Sequence, residues 1–147
     1  MDSQKVKLFI KEAKSMQGTP FQHQGRLPMV ALDCIGLIII AGVKARVLPD
    51  KFDIANYKPC TPDFERKLLK YGVPSEKPRP GAIACMAQKF KKGEKVQAQL
   101  IRHVGIVYSR KNEWRVIHSS QSKGVHTTKL DKLQELIKFY LVPSFLL

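Results

Sequence analysis

One stretch limits the folds open to this chain more than any other. From Cys34 to Val43 the residues run Cys-Ile-Gly-Leu-Ile-Ile-Ile-Ala-Gly-Val, with no charged side chain. A segment that is apolar on every side has to be buried on every side. It is too short to cross a bilayer, which needs about 20 apolar residues, so the burial has to come from the protein itself. Isoleucine suits a strand as well as a helix. Asp33, just before the run, is a good helix N-cap, and with Gly36 and Gly42 inside the run it favours a buried central helix from Cys34 to about Arg46. A buried strand is the competing reading.

The flanking segments supply elements to pack around that core. Ser3 is positioned to cap a first helix reaching about Gln17, with Val6, Phe9, Ile10, Ala13 and Met16 on one stripe and Gly18 as its stop. Residues from Thr19 to Val30 read as loop. Six of the nine prolines fall between residues 47 and 80, which marks a connector around one short helix, Pro62 to Tyr71, stopped by Gly72. After Pro80 the texture changes to strands: Ala82 to Ala87, Val96 to Leu100, His103 to Ser109, Trp114 to Ser119 and Val125 to Lys129. Lys89 to Lys95 reads as a basic hairpin tip and Arg110 to Glu113 as a second turn. A short helix over Leu130 to Ile137 and a last strand over Phe139 to Val142 complete the chain. Helices followed by a meander of strands indicate an α+β domain with an antiparallel sheet. The length of 147 residues is that of a single domain, so residues 1–147 are taken as one unit.

Charge narrows the partners. Lys and Arg total 26 against 12 Asp and Glu, a formal net charge of +14. Such a chain seeks polyanions: nucleic acid, an anionic membrane surface or an anionic wall polymer. No helix-turn-helix spacing, zinc finger or aromatic-basic RNA motif is present, so no specific nucleic-acid partner is expected. The first 16 residues lack the apolar h-region of a signal peptide. The expectation is a chain made in the cytoplasm and carried elsewhere by another route.

The three cysteines, Cys34, Cys60 and Cys85, are widely spaced and contain no CxxC, which argues against a disulfide framework or a structural zinc site. Cys34 stands apart because it opens the buried helix. Unpaired N–H groups and the helix dipole favour a thiolate there and lower the thiol pKa; the bland alternative is an inert core thiol. His103 begins one candidate strand and His118 ends the next. A hairpin turning over residues 109–112 sets the two directly opposite on one sheet face. Such a pair has the makings of a base and its orienting partner, or of two half-buried histidines satisfied by backbone groups.

Local sequence adds to this spacing. Gly18-Thr19-Pro20-Phe21-Gln22-His23-Gln24-Gly25, followed by Leu32-Asp33-Cys34-Ile35-Gly36-Leu37, resembles the nucleophile segment of the NlpC-type cell-wall peptidases. Arg102-His103-Val104-Gly105-Ile106-Val107 resembles that family's histidine strand, and Ile117-His118-Ser119 its third-residue segment. Pro80-Gly81-Ala82-Ile83-Ala84 is similar to the turn and strand before the histidine strand. The match spans about residues 5 to 142 and is most similar to the branch found in phage tails and prophages. It implies a papain-like NlpC-type fold in which a helix bearing Cys34 packs on a mainly antiparallel sheet of about five to six strands. It implies Cys34 as nucleophile, His103 as base, His118 as the orienting residue, and Phe21, His23, Gln24, Asp33 and Arg102 at the substrate. The implied reaction is hydrolysis of an amide in the peptidoglycan stem peptide, with no metal or cofactor, and phage-tail or secretion-system proteins are the implied further partners.

This chain departs from the family pattern in three places. Phe21 stands where many members have a Tyr whose hydroxyl lies near the nucleophile, Ile35 where many have Ser, and Ala82 where many have Asp. The missing hydroxyl keeps open a structural tail component that retains the fold without turnover. The shared thiol mechanism keeps open an amidase, deamidase or acyltransferase. Other residues receive bland readings: His126 as a solvated strand residue, Cys60 as an exposed bystander, Cys85 as core, Trp114 as sheet packing.

Overall fold

The computed structural model of the chain describes residues 1–54, 56–87, 93, 95 and 99–147. The apolar run is a helix, α2 (Cys34–Lys44), with eight of its residues buried and Asp33 as N-cap. The first helix, α1 (Ser3–Ser15), buries Val6, Phe9 and Ala13. Its cap is Asp2 rather than Ser3, because the longer carboxylate accepts from both Gln4 N (2.9 Å) and Lys5 N (3.1 Å). Within the expected loop a small hairpin forms from β1 (Arg26–Leu27) and β2 (Ala31–Leu32). A third helix, α3 (Pro62–Leu69), is capped by Thr61 and starts at a proline, which has no N–H to leave unpaired.

Among the described residues the remaining strands form one six-stranded antiparallel sheet: β3 (Gly72–Ser75), β4 (Ile83–Ala87), β5 (Ile101–Arg110), β6 (Glu113–Ser120), β7 (Gly124–Lys129) and β8 (Ile137–Pro143), in the order β3-β8-β4-β5-β6-β7. The sequence reading missed β3. Its Pro74 argues against a strand, and the strand survives because it lies at the sheet edge, where a missing N–H donor is tolerated. The expected helix over Leu130 to Ile137 is instead two 3₁₀ turns, Leu130–Lys132 and Gln134–Leu136. Leu130, Leu133 and Leu136 recur every three residues, the period of a 3₁₀ turn, and pack together against the sheet. Of the strand expected over Val96 to Leu100, residues 96–98 lie outside the described residues; Gln99 and Leu100 are not in a strand. The basic tip expected over Lys89 to Lys95 also lies outside them, apart from Gly93 and Lys95.

Alternation along the strands builds two apolar layers. Ile83 and Cys85 of β4, Val104 and Ile106 of β5 and Ile117 of β6 face α1 and α2. Ala84 and Met86, Val107 and Val116 face the other way, under Leu130, Ile137 and Tyr140. Each fully buried Leu or Ile contributes about 1.5–3 kcal/mol of transfer free energy, so the two-sided burial of β4 and β5 makes the centre of the sheet a firm platform. Among the described residues no helix is long and apolar enough to cross a membrane.

Candidate active site

The segment before α2 is tied to the last sheet strand. Gly18 N donates to Val125 O and Val125 N to Thr19 O, both at 2.9 Å. Thr19, fully buried, donates to Met16 O (2.7 Å) and accepts from Met29 N (2.9 Å). Leu32 O then accepts from Ser119 Oγ at 2.7 Å. This threading brings the start of α2 to the place where the sheet opens. The ladder between β5 and β6 ends at the Ile106↔Ile117 pair. Beyond it the Cys34 thiol meets the backbone of Val104, the residue after His103.

Asp33 is the hub of the helix end. Its carboxylate is 2% exposed, so every lone pair left unmet costs free energy. Oδ1 accepts from Gly36 N (2.7 Å) and Arg26 Nη1 (3.1 Å), and Oδ2 from Gln24 N (2.8 Å) and the Tyr57 hydroxyl. Arg26 also donates to Tyr57 Oη (3.0 Å), to Gly25 O (2.9 Å) and to Asp53 (3.1 Å). Gly36 has to be glycine here, because a Cβ would fall on the Gly25 carbonyl oxygen. Phe21, half-buried, brings no hydroxyl; the phenol at this helix end is Tyr57, from the Pro-rich connector.

The histidines meet, but not in the expected register. Lys111 and Asn112 both take left-handed backbone angles (φ 52° and 61°), so the turn is a tight two-residue one. The pairing shifts by two residues, which keeps every side chain on its face. Continuing the register places Gly105, not His103, across from His118. A Cβ at Gly105 would overlap Val116 Cγ1 and stand 3.0 Å from the His118 Cβ, so the glycine leaves room for both side chains on this face. His103 then reaches His118 diagonally, with Nε2 2.7 Å from His118 Nδ1. His118 Nε2 lies 2.8 Å from Thr128 Oγ1. His126, directly opposite His118 on β7, packs its ring at 4.3 Å between centroids and donates Nδ1–H to Gly124 O at 2.9 Å.

Burial dominates the electrostatics. It pushes the Cys34 thiol up to about 12, with the Asp33 carboxylate adding to the shift; the N–H groups at the helix start favour the thiolate less strongly. The lowered thiol pKa expected from the helix dipole is therefore reversed, because the helix end is enclosed rather than open to water. His103 is held down to about 4 by burial, then by the charge of Arg102 and by His126. His118 is held down to about 3 by burial, then by His103, His126 and Lys123. Thiol and both imidazoles are neutral at pH 7.

Thus His103 and His118 meet each other where the β5–β6 ladder ends, and the Cys34 thiol meets the backbone of the neighbouring Val104. No hydrogen bond joins Cys34 to His103, and with Nε2 engaged by His118 the nitrogen of His103 left for a thiol is Nδ1. Asp33 has no oxygen without a protein donor. Gln24 contributes its backbone N–H to Asp33, His23 is exposed with Nδ1 3.9 Å from Asp33 Oδ2, and Arg102 is exposed next to His103, where the β4–β5 pairing slips between Met86 and Ala87. Arg26, Tyr57 and Thr128 were not singled out from sequence, and His126, read there as a solvated strand residue, is instead half-buried with its ring against His118. Alternation along Val125-His126-Thr127-Thr128 places His126 and Thr128 on one face, the signal available for that pair. Among the described residues no His, Cys, Asp and Glu group is arranged to hold a metal ion.

No family model and no curated protein matches the chain. Solved structures do, and 22 chains match. The NlpC/p60 domain of the peptidoglycan hydrolase SagA superposes with a TM-score of 0.62 at 16% identity, covering 93% of this chain and 97% of that one. An NLP/P60-family protein from Staphylococcus aureus, described as similar to lipoprotein, gives a TM-score of 0.62 at 20% identity, covering 96% of this chain and 42% of that one. At these identities the likeness is one of fold: an α+β fold like that of the NlpC/p60 domains, with three helices and a six-stranded antiparallel sheet among the described residues.

Proposed function

We propose that the chain is a cysteine peptidase that hydrolyses an amide bond in the peptide stem of peptidoglycan, with Cys34 as nucleophile, His103 as general base and His118 as its orienting partner. The observation that carries this reading is the His103–His118 hydrogen bond, together with the contact of the Cys34 thiol at the start of α2 with the backbone of Val104, the residue after His103. The fold shared with a peptidoglycan hydrolase supports the substrate class. The charge of +14 suits an anionic wall. We place its action at the wall, reached in a phage-tail particle, by injection or on lysis, in line with the branch its sequence resembles.

The neutral resting pair sets the order of events. A buried thiol with a raised pKa does not ionise first, so proton transfer accompanies attack. His103 Nδ1 takes the Sγ proton as sulfur adds to the scissile carbonyl. The backbone N–H of Cys34 meets part of the oxyanion. His103 then gives the proton to the leaving amine, and water releases the acyl group by the reverse relay. The thiol–imidazole contact tightens when substrate fills the opening. The absence of a Cys34–His103 bond in the resting chain favours one second reading, a structural component that keeps the fold without turnover.

A digest of purified peptidoglycan and soluble muropeptides, read by mass spectrometry, separates the two. Stem fragments are expected from the wild type and none from Cys34→Ala, which should unfold at a similar temperature because it removes only a sulfur. Cleavage retained in Cys34→Ala would sink the assignment. Cleavage by neither protein would leave the structural reading.

A further inference from the structure

The bond on the far side of His118 constrains the near side. A neutral imidazole donates through one nitrogen and accepts through the other. For His103 to act through Nδ1, that atom needs its lone pair, so the ring proton sits on Nε2 and points at His118 Nδ1. His118 Nδ1 must then accept, which puts the His118 proton on Nε2, aimed at Thr128 Oγ1. Each step follows from the one before, and the chain ends at a hydroxyl.

We propose that Thr128 is a positioning residue for this site: its oxygen accepts from His118 Nε2–H and thereby sets the tautomers of both histidines, leaving His103 Nδ1 unprotonated. The inference rests on reading Cys34 and His103 as nucleophile and base. The surroundings favour Thr128 for the task. His126 covers the His118 ring face and already donates its own Nδ1–H to a carbonyl, so it does not compete for His118 Nε2. Thr127, one residue earlier, faces the other way and accepts from Arg115 Nη2 at 3.1 Å. A β-branched side chain in a strand has a restricted χ1 and holds its oxygen in place. A hydroxyl also accepts without adding charge, so the neutral state of His118 is kept; a carboxylate there would favour the imidazolium.

The test combines a spectrum with kinetics. Long-range proton–nitrogen spectra of histidine-labelled wild type at neutral pH should show both His103 and His118 protonated on Nε2. Thr128→Val should move the His118 proton to Nδ1 and the His103 proton with it. It should lower kcat on muropeptides by about 10- to 100-fold with KM little changed, the scale of losing a correctly protonated base. Thr128→Ser should restore both readouts. A His118 Nδ1–H in the wild type overturns the proposal whether or not any variant folds, and so do wild-type tautomers and kcat in Thr128→Val. If the wild type cleaves no muropeptide but shows both Nε2 protons, the peptidase reading fails and the tautomer assignment stands. If it cleaves and His118 carries Nδ1–H, the Thr128 proposal fails alone.

Discussion

The carboxylate of Asp33 shows how much one buried residue organises. Four donors from four separate residues converge on it, and two of them, Arg26 and Tyr57, also bond each other. Burial and the hydrogen bond to Asp33 both hold the Tyr57 phenol protonated. Tyr57→Phe takes a donor from a 2%-exposed carboxylate and an acceptor from Arg26. It should cost about 1–3 kcal/mol in urea unfolding, with the protein still folded at 25 °C; a midpoint equal to wild type would mean water replaces the phenol freely. At this scale the sequence was partly legible. Cys34, His103 and His118 stand in short recognisable segments. Arg26 and Tyr57 lie outside those segments, and their only link to Asp33 is the fold. A lone Tyr between Asn56 and Lys58 carries no local pattern to mark it.

Elements were legible where burial sets a period and obscure where geometry is special. The run after Cys34 had to be buried, and the capping Asp33 decided for a helix. Pro74 hid an edge strand, and a turn built from Lys111 and Asn112 without glycine hid its own length. The face of each histidine was still right, because a two-residue slip preserves the alternation. The tightest joint between elements is α2 against the preceding loop. In Gly36→Ala the helix gains about 1 kcal/mol of propensity, but the new methyl overlaps the Gly25 carbonyl oxygen and presses within 2.9 Å of Arg26 Nη1. The loop must move, at about 1–3 kcal/mol. The expected outcome is a stability at or below wild type, with stem-peptide cleavage lost more severely than stability. A variant more stable and equally active would show that loop and helix are not tightly joined.

On the scale of the molecule, the same burial that keeps the histidines neutral makes stability depend on pH. His103 and His118 have folded-state values of about 4 and about 3 against 6.5 for an unburied histidine. Above pH 6.5 both states of the protein hold them neutral, and nothing is lost. Below it the unfolded chain binds protons that the folded chain refuses, so stability falls as pH drops from 6.5 toward those folded values. Each group removes about 1.4 kcal/mol per pH unit, up to about 4 kcal/mol together by pH 5. For a domain stable by about 5–15 kcal/mol that is a large share. The groups facing the pair are basic: Arg102 and His126 toward His103, and Lys123 and His126 toward His118. A protein of charge +14 has no surplus of carboxylates to offset them. Urea unfolding should therefore show a markedly lower midpoint at pH 5 than at pH 7.5. The double variant His103→Gln, His118→Asn should lose most of that dependence whatever its absolute stability. Equal wild-type midpoints at the two pH values would mean that the histidines can take up protons in place, and the neutral resting pair on which the order of proton transfer depends would have to be abandoned.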